Sequence, residues 1–184
     1  VKDGSGNIFS AWVDNRAGGA SDNIYANLFD SSGDRQWSSD TLVNSGATGA
    51  NYSSPKVIYV GTDYYITWEN NGRAYVNKLN SSGARQWADV EISVGGASSV
   101  YNPSIAYDGT NIVIVWDDNR ALDGANQIYF NSVNTSGVRQ LGSDQVVNVT
   151  GTGKQEQPEI RSDQTDTFVV WEDSRSGTDT IYLQ

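Results

Sequence analysis

The sequence predicts an all-β protein made of repeated units, and three observations support that prediction. First, aromatic residues are abundant, with six Trp and ten Tyr in 184 residues, whereas long runs of helix formers are missing. Second, a short motif around tryptophan recurs along the chain. Third, other residues keep fixed distances from those tryptophans. With a hydrophobic fraction of 37%, the chain can bury a core.

The recurring motif is W-x-D-x-R, present in three well-formed copies and one degraded copy that reads W-E-N-N-G-R. The intervals between the motif tryptophans are 56, 48 and 55 residues. We interpret the motif as part of a structural repeat, because a constellation that recurs in every unit is more often scaffold than active site. Its residues are Trp12, Asp14 and Arg16, then Trp68 and Arg73, then Trp116, Asp118 and Arg120, and finally Trp171, Asp173 and Arg175.

Further landmarks keep step with these tryptophans. Three prolines each lie 13 residues before a motif tryptophan, and three tyrosines are each followed eight residues later by a glycine in a polar turn. Four residues after each glycine comes Trp37, Trp87 or Leu141. The prolines are Pro55, Pro103 and Pro158, the tyrosines are Tyr25, Tyr75 and Tyr129, and the glycines are Gly33, Gly83 and Gly137.

One repeat reads as four short strands, for which residues 103–107, 111–116, 127–133 and 145–149 are the example, separated by turn residues such as Asp108-Gly109. A four-stranded antiparallel sheet cannot bury both faces alone, so neighbouring units must stack around an axis. The sequence therefore predicts a β-propeller of about four repeats of four-stranded antiparallel blades. The blades are approximately residues 1–50, 51–98, 99–152 and 153–184 of a single domain.

The first and last blades are expected to be incomplete. The proline offset places the start of the first blade partway through its first strand, and the last blade stops before its fourth strand. We expect the segment to be part of a larger array, or to be completed by another chain, since open strand edges invite pairing. A closed four-bladed ring is the alternative architecture.

Repeats of this form, W-x-D-x-R followed by I-Y and then by S-G-x-x-x-W, resemble those of secreted or surface bacterial and archaeal β-propeller proteins. The resemblance covers essentially the whole chain at the level of the repeat. It implies a propeller fold and an extracellular or cell-surface location, and it implies the fold far more firmly than any activity.

Composition excludes several classes of function. The net charge of −10 repels polyanions, so we expect no nucleic-acid partner, and no apolar run is long enough for membrane insertion. Cysteine and histidine are absent, which excludes a thiol nucleophile, a Ser-His-Asp triad and a zinc site built from those residues. No catalytic residue stands out.

Two kinds of binding site are considered. The rings of Trp37 and Trp87 are candidate ligand platforms if they face solvent, with filling between blades as the alternative. Oxygen-bearing residues after the third motif are candidate ligands for Ca²⁺, namely Asp117, Asp118 and Asp123. No other cofactor is expected, and no complete calcium-loop motif is present.

Three functions follow from these observations. The preferred prediction is a non-enzymatic extracellular structural, adhesion or assembly module, whose partners are copies of itself, surface proteins or polysaccharide. The first alternative is a multivalent carbohydrate-binding propeller with one sugar site per blade. The second alternative is a fragment of a propeller glycosidase with paired carboxylates from different blades.

Overall fold

The computed structural model describes residues 1–16, 18, 22–45, 51–94, 99–120, 125–149 and 153–184. Within them the chain forms four antiparallel sheets. The first two sheets contain β1 (Ile8–Asp14), β2 (Asn23–Phe29) and β3 (Thr41–Leu42), and then β4 (Tyr52–Val60), β5 (Asp63–Asn70), β6 (Arg73–Leu79) and β7 (Val90–Glu91). The last two contain β8 (Val100–Tyr107), β9 (Asn111–Asp118), β10 (Gln127–Asn134) and β11 (Gln145–Val146), and then β12 (Gln155–Ser162), β13 (Thr167–Asp173) and β14 (Thr180–Leu183).

Each sheet is an up-and-down meander in which every strand pairs with its neighbour in sequence, so each sheet is one blade. Blades 2 and 3 have four strands, whereas blades 1 and 4 have three. Blade 1 begins with the strand that carries Trp12, and among the described residues Val1 and Lys2 pair with β1 on its inner side. Blade 4 ends at the strand that carries Tyr182. The predicted all-β propeller fold with antiparallel blades is confirmed.

The core lies between successive blades. Three hydrophobic clusters fill the spaces between blades 1 and 2, blades 2 and 3, and blades 3 and 4. Each is centred on the motif tryptophan of the later blade, which packs against the earlier one: Trp68, Trp116 and Trp171, all at most 4% exposed. This arrangement follows from strand periodicity, because residues at alternate positions of the second strand face opposite neighbours.

A second contact joins the blades at their outer edge. The Trp37 ring of blade 1 lies against Gly83 in the polar turn of blade 2, and its indole N–H donates to the Ser81 carbonyl at 3.0 Å. The Trp87 ring lies in the same way against Gly137 of blade 3. Both glycines have positive φ, and a Cβ at either would meet the indole at 3.0 Å or less. Glycine is therefore required at these turns for two reasons, the positive φ and the lack of room for a Cβ.

No helix in the described residues is long and apolar enough to cross a membrane.

Candidate functional site at the propeller axis

The first strands of blades 2, 3 and 4 surround a cavity of about 680 Å³ on the axis. The residue that follows each repeat proline faces this cavity: Lys56, Ser104 and Glu159. Glu159 of blade 4 forms an ion pair with Lys56 of blade 2 and accepts a hydrogen bond from the Ser104 hydroxyl of blade 3 at 2.9 Å. Equivalent positions of three blades thus meet at one point.

The ion pair sets the charge state of Glu159. Burial alone would raise the pKa of this carboxyl, but hydrogen bonds from Lys56 and Ser104 outweigh it and lower the pKa below its ordinary value of 4.5. Arg161 adds a weaker contact, with 3.4 Å between its Nη1 and Glu159 Oε2. Glu159 is therefore ionised across the physiological pH range.

A β-bulge at each repeat proline points these residues into the cavity. The residue before the proline has positive φ in all three blades, with values of 53° at Ser54, 51° at Asn102 and 54° at Gln157. The ladder between the first and second strands shifts register at these positions. Left-handed backbone at a residue other than glycine costs about 1–3 kcal/mol and is concentrated at functional sites.

Above one bulge lies a buried carboxylate, Asp117, which is 1% exposed. It accepts hydrogen bonds from the amides of Asn102 at 2.9 Å and Asn126 at 2.8 Å, and from the backbone N–H of Gln157 in blade 4 at 3.3 Å. Burial raises the pKa of Asp117, and these donors only partly oppose the shift. The Gln157 side chain in turn donates to Glu172 at 3.0 Å. A polar network therefore links blades 3 and 4 beside the axis.

Glu69 occupies the position in blade 2 that Asp117 occupies in blade 3, directly after the motif tryptophan. It accepts a hydrogen bond from the Ser53 hydroxyl at 3.2 Å. Burial raises the pKa of Glu69 above its ordinary value of 4.5, and the charge of Asp117 raises it further. Glu69 pairs in the ladder with Ser53, which precedes Lys56 by three residues, so it lies towards the start of β4 and is not among the residues that line the cavity.

The Asp and Arg residues of the W-x-D-x-R motif form a clasp at the end of the second strand. Asp118 binds Arg120 through Nε at 2.9 Å and Nη2 at 2.6 Å, and the guanidinium lies 4.3 Å from the centroid of the Tyr129 ring. The aspartates in all three copies also accept the backbone N–H of their arginine. The same clasp joins Asp14 to Arg16 and Asp173 to Arg175, with Tyr25 and Tyr182 beneath the arginines.

The degraded copy in blade 2 is arranged differently. A two-residue turn, Asn71-Gly72, joins β5 to β6, and both residues have positive φ. Arg73 pairs with Asn70 in the ladder, and its side chain forms an ion pair with Glu91 at 2.6 Å. Within the part of the chain that the structure describes, the indole N–H of Trp68 and the Asn70 Oδ1 are buried without a hydrogen-bond partner, and so is the indole N–H of Trp116 in blade 3. In blades 1 and 4 the corresponding N–H groups donate to Asp14 and Asp173.

The structure also shows where the candidate ligand platforms and most of the candidate calcium ligands lie. Trp37 is 8% exposed, and Trp87 is partly buried against the edge of Tyr65. Asp117 and Asp118 direct their carboxylates at protein donors, and Asp123 lies outside the described residues. Among the described residues, no group of three His, Cys, Asp or Glu side chains is arranged to hold a metal ion.

The sequence alone does not single out the glutamates near the first strands. Glu69 and Glu172 looked like ordinary strand residues after a motif tryptophan, and Glu159 carried no motif of its own. The sequence does contain a signal that could have identified these carboxylates. The residue after each motif tryptophan and the residue after each proline differ between blades, while the residues beside them repeat. Variation inside a constant repeat marks the positions that the scaffold does not require.

Comparison with known proteins places the fold. No known protein family matches the sequence, and no curated protein matches it. Among solved structures, an endo-arabinase from Bacteroides thetaiotaomicron is similar with a TM-score of 0.55 and 12% identity, over 97% of this chain and 69% of its own. An exo-1,5-α-L-arabinanase from a bovine ruminal metagenomic library has a TM-score of 0.59 and 11% identity, over 99% and 71%.

A third similar structure, an endo-arabinanase of glycoside hydrolase family 43 from Bacillus licheniformis, has a TM-score of 0.55 and 12% identity, over 97% and 68% of the two chains. These findings correct the prediction of a non-enzymatic structural or adhesion module. They also correct the prediction that the chain is not an enzyme, because the similar structures are named as glycosidases. At this sequence identity, the similarity establishes the β-propeller fold of this chain.

Proposed function

We propose that the chain belongs to a propeller glycoside hydrolase and that its substrate site lies along the first strands of the blades, with Glu159 in the axial cavity and Glu69 towards the start of β4. One observation carries the proposal: a carboxyl group that lines the axial cavity and a second one beside the first strand of blade 2 have pKa values shifted in opposite directions. Hydrolysis of a glycosidic bond uses such a pair, one protonated and one ionised.

The environments assign the two roles. Glu69, whose pKa is raised by burial, is the general acid that protonates the leaving glycosidic oxygen. Glu159, held ionised by Lys56, is the carboxylate that acts at the sugar carbon, either directly or by taking a proton from water. Asp117 is too buried to touch a substrate. It is a positioning residue that fixes the Asn102 and Gln157 bulges and raises the pKa of Glu69.

Arabinan is the first substrate to test, because the three similar structures described above are named as arabinan-degrading enzymes. The assay measures reducing ends released from arabinan, with xylan and cellulose for comparison. Glu69→Gln and Glu159→Gln should each lower the rate by at least about 100-fold. Glu91→Gln is the matched control, because Glu91 lies on the outer strand and pairs with Arg73.

Binding is measured in parallel by titrating arabino-oligosaccharides into the chain. A Glu69→Gln variant that binds oligosaccharide but does not cleave it would support the assigned role. If the unaltered chain neither cleaves nor binds any of the glycans, the proposed function is wrong. If Glu69→Gln and Glu159→Gln cleave as fast as Glu91→Gln, the assigned residues are wrong.

A further inference from the structure

Successive blades are held together by a backbone clamp. In blade 3, Arg120 bridges Asp118 and Asp144, with 2.8 Å between Nη1 and Asp144 Oδ2. Arg120 and Asp144 bind the backbone of Val94, which follows the outer strand of blade 2. The Val94 N–H donates to Asp144 at 2.8 Å, and the Val94 carbonyl accepts a hydrogen bond from Arg120 at 2.6 Å. The clamp therefore recognises one N–H and one C=O of an extended segment.

The junction between blades 1 and 2 uses part of the same device. The Ser45 N–H, which follows the outer strand of blade 1, donates to Asp89 of blade 2 at 2.7 Å. Asp89 is the counterpart of Asp144, and each accepts the amide of a buried asparagine, Asn77 or Asn131. The device is therefore present in full between blades 2 and 3 and in part between blades 1 and 2.

Blade 1 carries the complete clamp on the face that points away from blade 2. Arg16 bridges Asp14 and Asp40, with 2.9 Å from its Nε to Asp14 and 2.6 Å from its Nη1 to Asp40. Asn27 donates to Asp40 at 2.8 Å, as Asn131 does to Asp144 at 2.9 Å. The Arg16 side chain is 43% exposed, however, whereas that of Arg120 is 12% exposed.

The sheet face that carries this exposed clamp also carries apolar side chains. The face of β1 that carries Trp12 also carries Ile8, which is 51% exposed, although the corresponding faces of blades 2 to 4 each pack against an earlier blade. The outward face of blade 4 presents Phe168 at 46% and Leu183 at 65% exposure. Two apolar sheet faces therefore border the two ends of the arc of blades.

The curvature of the arc limits what can lie between them. Lys56 of blade 2 reaches Glu159 of blade 4 directly, so the ring is narrow. Four blades also span 69% and 71% of two similar propeller chains. We infer that the outward face of blade 1 docks one further blade of this same repeat, whose segment after the outer strand donates its N–H to Asp40 and accepts from Arg16.

The test extends the chain. A copy of residues 132–152 added after Gln184 supplies blade 4 with an outer strand in register, and a copy of residues 99–152 then supplies a fifth blade. Arg16→Gln should lower the melting temperature by about 5 °C more in the extended chain than in the original chain. Arg120→Gln is the matched control, because its partners Asp118, Asp144 and Val94 are present in both chains, so its effect should be the same in both. An equal effect of Arg16→Gln in both chains overturns the inference.

A second measurement covers the case in which the extended chain does not fold. A peptide with the sequence of residues 75–94, which includes the segment gripped by blade 3, is added to the original chain at about 1 mM. The Nε–H signals of Arg16 and Arg175 are followed by ¹⁵N NMR. A shift of the Arg16 signal alone supports docking at blade 1. No shift of Arg16, or equal shifts of both arginines, overturns it.

Discussion

Replacing Arg120 with methionine should destabilise the protein strongly, because its partners are buried. The carboxylates of Asp118 and Asp144 are both 0% exposed, and Arg120 neutralises both while also binding the Val94 carbonyl. Leaving buried charges without a partner costs about 3–5 kcal/mol. For a domain of this size each kcal/mol lowers the melting temperature by about 2–4 °C, so we expect a decrease of about 10 °C.

Thermal unfolding followed by circular dichroism measures this decrease, and Arg16→Met is the matched control. Arg16 has the same partners in blade 1, but it is 43% exposed and Asp14 is 20% exposed, so water can solvate the charges that remain. The decrease for Arg16→Met should therefore be much smaller. Adding Asp118→Asn to Arg120→Met should restore part of the stability, because it removes one of the two unpaired charges. Equal decreases for the two arginine variants would refute the argument from burial.

Three further predictions follow from the inter-blade contacts and the pKa shifts. Gly83→Ala should cost about 3 kcal/mol in chemical denaturation, because its Cβ would meet Thr41 Oγ1 at 2.9 Å and the Trp37 ring at 3.0 Å, whereas Gly33→Ala, with similar φ and open space around it, should cost about 1 kcal/mol. The rate of glycan hydrolysis should rise with pH as Glu159 ionises below 4.5 and fall as Glu69 loses its proton above 4.5, so Glu69→Gln should remove the descending limb. Burial would raise the pKa of Asp173, but the hydrogen bonds from Arg175 outweigh it and hold the pKa well below 3.8. The pair therefore stabilises the protein above pH 3.8, and this stability is lost as the pH falls towards the lowered pKa. Asp173→Asn should make the free energy of unfolding depend less on pH in this acidic range.

Much of the fold could be predicted from the sequence. The strand expected at 127–133 is observed as Gln127–Asn134, and the motif tryptophans of blades 2 to 4 lie between blades. These features depend on the local alternation of apolar residues and on turn residues, both of which can be read from short stretches of sequence. The outer strands are shorter than expected, since β11 covers only Gln145–Val146 of the predicted 145–149.

The axial site could not be predicted in the same way. A regular strand would alternate its side chains without interruption, but the bulge at Gln157-Pro158 inserts a residue and directs Glu159 into the cavity. Its partner Lys56 lies 103 residues away in sequence and meets it only because the blades curve around an axis. The prediction of a non-enzymatic module had the same origin, since nothing in the sequence singles out one pair of its many carboxylates.

The contact between each outer tryptophan and the next polar turn runs in one direction only. Trp37 reaches forward to Gly83 and Trp87 reaches forward to Gly137, and each residue keeps the same offset within its repeat. The junctions between blades 1 and 2 and between blades 2 and 3 therefore present the same donor and the same receiver. A duplicated copy of blade 2, which carries both Gly83 and Trp87, can enter the array at either junction and find both neighbours already fitted to it at the outer edge. Gene duplication of such a blade can lengthen the protein without altering these contacts, until the width of the axis sets a limit.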